Sequence, residues 1–173
     1  MNDALVAFFR GTGTDHRGRR LDDVLARDDR WLETTHDFVQ WLFPLRTPSG
    51  VLPGAPLLDD ATEAAFRGDE ALQRNLGRAF ARMLRFYGFE RRDDGTVEPA
   101  ADFDERAPDW FHADTHNGLR ISRILGSLSR LGREQDARRF LAALEAACAA
   151  RDDCGIGPTA RAYWRAALRH DRG

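Results

Sequence analysis

A single all-α domain of about seven helices is what this sequence predicts, and three observations carry that expectation. Apolar residues recur at spacings of three and four rather than two through nearly every segment. The punctuation suits helices, with aspartates before apolar runs and Pro44, Gly88 or Gly132 after them. The chain has 173 residues, 42% of them hydrophobic, enough for one core of its own.

The elements follow in order. A first helix spans about Asp3 to Arg10, then comes a loop from Gly11 to Arg19, and a second helix runs from Leu21 through Val24 and Leu25. Asp28 or Asp29 caps a third, whose Trp31, Leu32, Thr35, Phe38, Val39 and Leu42 share one face until Pro44 stops it. Phe43 to Leu58 is rich in Pro and Gly, and loops this long in compact domains are often binding elements. Asp60 with Glu63 resembles a capping box for a helix ending near Gly68. Asp69 caps the next, which carries Leu72, Leu76, Phe80, Met83, Leu84 and Tyr87 to Gly88.

Asp94-Gly95, between short arms from Phe89 to Pro99, signals a hairpin. A turn at Pro108-Asp109-Trp110 precedes a helix from about Thr115 that buries Ile121, Ile124, Leu125, Leu128 and Leu131. The last two helices cover about Glu134 to Arg151 and Pro158 to His170, the latter with proline in its first turn.

All 26 basic residues are arginine, a bias read as GC-rich codon usage. Against 28 acidic residues the net charge is −2, so no global positive field draws in nucleic acid. No segment approaches a membrane-spanning length, and the start lacks the basic region of a secretory signal, so the expected location is cytoplasmic. Cys148 and Cys154 are expected to be reduced, the first in the core and the second in a loop.

Polar side chains collect in two places. On the third helix His36 lies at the edge of the apolar stripe, with Asp37 and Gln40 on the polar side and Trp41 beside Asp37. Adjacent helical residues do not face each other, so His36 and Asp37 need partners from elsewhere. On the helix after Thr115, His116, Arg120, Arg123, Ser127 and Arg130 share a face, and Asn117 sits at the edge of the buried one. A forked arginine matches a carboxylate bidentately. Asp37 with Gln40 is therefore expected to meet Arg120 or Arg123, with His36, His116, Asn117 and Trp41 nearby, around a small polar or peptide ligand. The competing reading is an ion pair that clamps two helices.

Other patterns carry less. Arg74, Arg78, Arg82 and Arg85 form a basic stripe that could touch a membrane surface or sit solvated and paired. Gly11-Thr12-Gly13-Thr14-Asp15 lacks the preceding strand and the Gly-Lys-Ser/Thr of a phosphate cradle and reads as a loop. His112, Asp114 and His116 with His36 and Asp37 carry the side chains of a metal-dependent hydrolase, one alternative function, the other being a structural protein-interaction domain. No His-Glu-x-x-His spacing or nucleophile elbow exists, so no enzyme activity, metal or cofactor is expected.

One run is more telling than composition. His36-Asp37-Phe38-Val39-Gln40-Trp41-Leu42-Phe43-Pro44-Leu45 resembles the hallmark of the opioid growth factor receptor conserved region. So do Phe8-Phe9-Arg10, Leu21-Asp22-Asp23-Val24-Leu25, Arg82-Met83-Leu84-Arg85-Phe86-Tyr87-Gly88 and His116-Asn117-Gly118-Leu119-Arg120-Ile121-Ser122-Arg123-Ile124-Leu125, in family order. The resemblance covers about Phe8 to Phe140. It implies a helical receptor-like module, associated in animal members with enkephalin-type opioid peptides at the nuclear envelope and with restraint of proliferation. It brings no catalytic residues. Without the animal proteins' C-terminal repeats and lysine-rich stretch, the chain resembles a short bacterial member whose own ligand is to be found.

Overall fold

Side-chain hydrogen bonds set where five of the described helices begin. In the computed structural model, which describes residues 1–112, 116–151 and 154–169, the first is α1 (Asp3–Phe9), where Asn2 accepts from Leu5 N. Asp23 accepts from Arg20 N at 2.8 Å to start α2 (Leu21–Leu25). Asp28 accepts from Trp31 N to start α3 (Asp29–Thr34). After α4 (Val39–Leu42) comes α5 (Asp60–Gly68), capped by Asp59 rather than the expected Asp60. Asp69 holds the N–H groups of Ala71 and Leu72 at the start of α6 (Glu70–Phe86). Each cap satisfies a backbone donor that the first helical turn leaves unbonded.

The backbone clusters into two compact units, Met1–Arg82 and Met83–Gly173. In the first, Leu5, Phe8, Phe9, Leu32, Phe38, Leu42, Phe43, Phe66, Leu72 and Leu76 are fully buried. Aromatic edges meet faces there: Phe9 with Phe66 at 4.9 Å and Phe8 with Trp41 at 5.3 Å. The Pro/Gly loop from Phe43 to Leu58 is tied at its base, where Leu58 N donates to Leu45 O at 3.0 Å. Arg46 anchors it to α5 through Glu63 Oε1 at 2.7 Å.

The expected long third helix is interrupted. Thr35 leaves α3 with extended backbone (φ −104°, ψ 130°), and Asp37 and Phe38 form a bend before α4 begins at Val39. Thr34, Thr35, His36 and Asp37 are four consecutive weak helix formers, and the bend turns the Asp37 carboxylate toward partners outside the helix. The apolar spacing persists across the break because Phe38, Val39 and Leu42 still face the core.

In the second unit, β1 (Phe89–Arg91) pairs antiparallel with β2 (Val97–Pro99), Glu90 opposite Glu98, around Asp94 and Gly95 as expected. Gly88 precedes β1 at φ 76°, where a Cβ would come within 3.1 Å of Phe103 Cα, so the position suits glycine. The expected turn at Pro108-Asp109-Trp110 is instead the end of α7 (Phe103–Trp110). Pro108 costs that short helix one backbone donor, and burial of Phe103, Ala107 and Trp110 on one side offsets the loss. The helices α8 (Asn117–Arg130), α9 (Glu134–Ala149) and α10 (Pro158–Ala167) follow, α8 packing on both others. The expected start at Thr115 and end at His170 lie outside the described residues.

The described residues thus form ten helices and one two-stranded sheet, more helices than expected because α3 and α4 are separate and α7 was read as a turn. No described helix is long and apolar enough to cross a membrane. The expected basic stripe on α6 is not a continuous surface. Arg82 is buried, donating to Asp29 Oδ1 and Arg27 O at 2.7 Å each, and Arg78 pairs with Asp22.

Candidate functional site

The loop before α2 builds the site from one residue outward. The Asp15 carboxylate, fully enclosed, accepts from Arg17 N at 2.8 Å and Arg19 N at 3.0 Å through Oδ1, and from Arg19 Nε at 2.6 Å through Oδ2. Asp15 N donates to Arg19 O, closing a tight turn that Gly18 completes at φ 74°. The turn projects His16, Arg17 and Arg19 to one side, where they converge on Asp37. Arg19 Nη2 reaches Asp37 Oδ1 at 2.8 Å, while Arg17 Nε and His16 Nε2 reach Oδ2 at 3.1 and 3.3 Å.

Asp37 is therefore the centre of a cationic cluster within its own unit. Burial raises its pKa, but the hydrogen bond and charge of Arg19 and the charges of His16 and Arg17 outweigh that and hold the carboxyl below its ordinary value. A lowered folded-state pKa means stability that is present above the unfolded pKa of about 3.9 and lost as pH falls through the folded one. In a pH series of melting temperatures, the wild-type advantage over Asp37→Asn is thus expected to be constant above about pH 5 and to shrink below about pH 4. An advantage unchanged down to pH 2 would remove the cluster as its source.

Two tryptophans flank the cluster. Trp31 carries the Arg19 and Arg27 guanidinium groups at 5.3 and 5.4 Å from its ring centre. Trp41, expected off the apolar face, is instead 7% exposed, with the His16 ring parallel to it at 6.4 Å. The four-residue α4 presents the indole to Phe8 rather than to solvent. Gln40 is 4% exposed and donates to Ser49 Oγ at 3.2 Å, and that hydroxyl also accepts from Val51 N, tying the Pro/Gly loop to α4. Gln40 Oε1 and Trp41 Nε1 are enclosed and have no hydrogen-bond partner in the protein. Buried polar atoms are nearly always satisfied, so two orphans on consecutive residues call for an explanation. His36, by contrast, is exposed just before the bend.

The other expected site residues belong to the second unit. Asn117 is fully buried and its Oδ1 accepts from Tyr87 OH at 3.2 Å. Arg120 and Ser127, expected on a polar face, are buried as well, and Arg123 is partly buried, with desolvation drawing its pKa below the ordinary value. The exposed position on this helix is Leu119, at 72%. α8 packs against α9 and α10, which leaves a narrower solvent face than a helical wheel suggests. His116 is exposed just before α8.

Sequence reasoning missed Asp15, His16, Arg17, Arg19 and Ser49. The signal for the turn was present, since an Asp three residues before a Gly favours a side-chain-capped turn. Its contact with Asp37, some twenty residues on, left no local trace. Among the described residues no group of three His, Cys, Asp or Glu side chains could hold a metal ion. Asp114, one of the residues named for a metal-dependent hydrolase, lies outside the described residues.

Comparison with known proteins places the chain in a family. Residues 19–172 match the opioid growth factor receptor (OGFr) conserved region. The chain is 38% identical over 157 residues to the human opioid growth factor receptor, a match spanning 86% of this chain and 23% of the relative. It is 41% identical over 125 residues to the rat opioid growth factor receptor, covering 68% of this chain and 21% of the relative. With the opioid growth factor receptor-like protein 1 of Xenopus tropicalis it shares 36% over 121 residues, 68% of this chain and 23% of the relative. The chain thus spans about a quarter or less of the relatives it matches. No solved structure gives a significant match. On the family match and these identities, the chain belongs to the opioid growth factor receptor conserved-region family.

Proposed function

We propose that this chain is a ligand-binding module that takes a peptide, rather than an enzyme, and that the surroundings of Asp37, Gln40 and Trp41 carry recognition. The relatives are named as receptors for opioid growth factor, which favours a peptide over other polar ligands. The observation that carries the reading is the pair of orphaned polar atoms, Gln40 Oε1 and Trp41 Nε1. One is an acceptor and the other a donor, both enclosed, so a peptide bond that offers the complement of both reaches them only when the loop tied to Gln40 through Ser49 moves aside. His36, exposed next to Asp37 in the chain, and Arg17, exposed and paired with Asp37, supply contacts for polar ends of the ligand. His116, Asn117, Arg120 and Arg123 remain assigned to ligand contact on the sequence pattern alone. Burial of Asn117 and Arg120 makes them supports of their helix first.

Isothermal titration with an enkephalin pentapeptide tests this reading. Saturable binding is expected for the wild type, with a loss of about 5- to 150-fold in Gln40→Leu, since removing one hydrogen-bond partner in a desolvated site costs about 1–3 kcal/mol. Heat from dilution alone would overturn the choice of an opioid-type peptide. Equal affinity in the variant would remove Gln40 from the site.

A further inference from the structure

One buried side chain holds down an otherwise exposed loop. From Thr47 to Gly54 the chain is exposed except at Leu52, which is half-buried, and Ser49, which is buried. Both ends of this segment are fixed: Arg46 pairs with Glu63 and Asp60, Leu58 N donates to Leu45 O, and Ala55 and Pro56 are buried. Between those ends a Cβ added at Gly50 or Gly54 would meet nothing within 4 Å. Among the described residues, the hydrogen bond that ties 47–54 to another element runs from Gln40 Nε2 to Ser49 Oγ at 3.2 Å. The same hydroxyl accepts from Val51 N at 3.2 Å and Leu52 N at 3.4 Å, so it shapes its own turn while it holds Gln40. Three donors crowd an oxygen that has two lone pairs, which leaves Gln40 with a bond that a better acceptor can replace.

Resting on the peptide-binding reading of this site, we propose that Ser49 is a self-latch: it occupies on Gln40 the place of a ligand's backbone carbonyl, and an extended peptide docks by displacing it. In the closed chain the Gln40 carboxamide is half used, with Nε2 held by Ser49 and Oε1 without a partner in the protein. In an extended peptide the N–H and C=O of one residue point the same way, so that residue accepts from Nε2 and donates to Oε1 together. Recognition at Gln40 is therefore of main chain rather than of a particular side chain. The segment 47–54 lifts between its fixed ends, the peptide takes both halves of the carboxamide, and the strap settles over it with Ser49 off Gln40. Latched chains do not bind, so the apparent dissociation constant is the intrinsic one divided by the open fraction. Because the latch exists only in the free chain, removing it speeds association and leaves dissociation unchanged.

Ser49→Ala in the full chain tests this with two readouts. Without ligand, solvent exchange of the Gln40 side-chain amide protons, followed by NMR, should be slower in the wild type than that of the exposed Gln135. In Ser49→Ala it should quicken by roughly two- to tenfold, the equivalent of one neutral hydrogen bond, while exchange of Leu58 N–H at the base of the loop stays the same. With enkephalin pentapeptide, surface plasmon resonance should show kon raised by roughly the same two- to tenfold and koff unchanged. Equal Gln40 exchange in the two proteins overturns the latch without reference to any ligand. Peptide binding that is no faster in Ser49→Ala also overturns it, and leaves the peptide-binding reading standing. Absence of binding by either protein overturns that reading and the displacement at Gln40 with it.

Discussion

Trp164→Ala is expected to lower the unfolding free energy by about 3–5 kcal/mol, the range for truncating a fully buried tryptophan. Trp164 has no exposed surface, and its Nε1 donates to Gly118 O at 3.0 Å, joining α10 to the start of α8. Lost burial, a residual cavity and an abandoned carbonyl act in the same direction. For a chain of this size the melting temperature should fall by roughly 6–20 °C. Trp164→Phe separates the contributions: it keeps most of the apolar volume and loses the hydrogen bond, at about 1 kcal/mol. Urea denaturation of the three proteins measures both steps. A Trp164→Ala midpoint near that of the wild type would mean that α10 adds nothing to the second unit's core.

Asp15→Ala is the largest effect expected in the first unit, at about 3 kcal/mol. Its enclosed carboxylate is the shared acceptor for two backbone N–H groups and the Arg19 side chain, and alanine leaves all three without it. Arg19 then loses the contact that orients it toward Asp37, so peptide affinity should fall together with stability. Asp15→Asn retains an oxygen for the two N–H groups and should lose only about 1 kcal/mol. Equal midpoints for Asp15→Ala and the wild type in the same urea series would show that the turn stands without this side chain.

Most of the fold is written locally. Aspartates at helix starts, Gly88 and Gly132 at helix ends and the Asp94-Gly95 hairpin all work through hydrogen bonds or backbone angles within a few residues, so sequence spacing reveals them. The break at Thr35 to Asp37 was obscured because the apolar spacing runs on through it. Pro108-Asp109-Trp110 reads as a turn, but near the end of a short helix with one well-buried side the proline is tolerated. The hallmark residues His36 to Trp41 were visible as a group; what Asp37 touches was not. Its partners come from a turn some twenty residues earlier, fixed by the tertiary path of the chain rather than by helical period. Burial of Arg120 and Ser127 was hidden for a related reason, since a wheel shows which residues share a face but not how many neighbours cover it.

Hydrogen–deuterium exchange of the full chain, with and without saturating enkephalin pentapeptide, tests the central claim most directly, because it reports where a ligand sits rather than only whether one binds. The account predicts slower exchange in the turn around Asp15 to Arg19, in the segment from His36 to Trp41 and in the loop around Ser49. Protection confined to other segments, or no change anywhere, would contradict it.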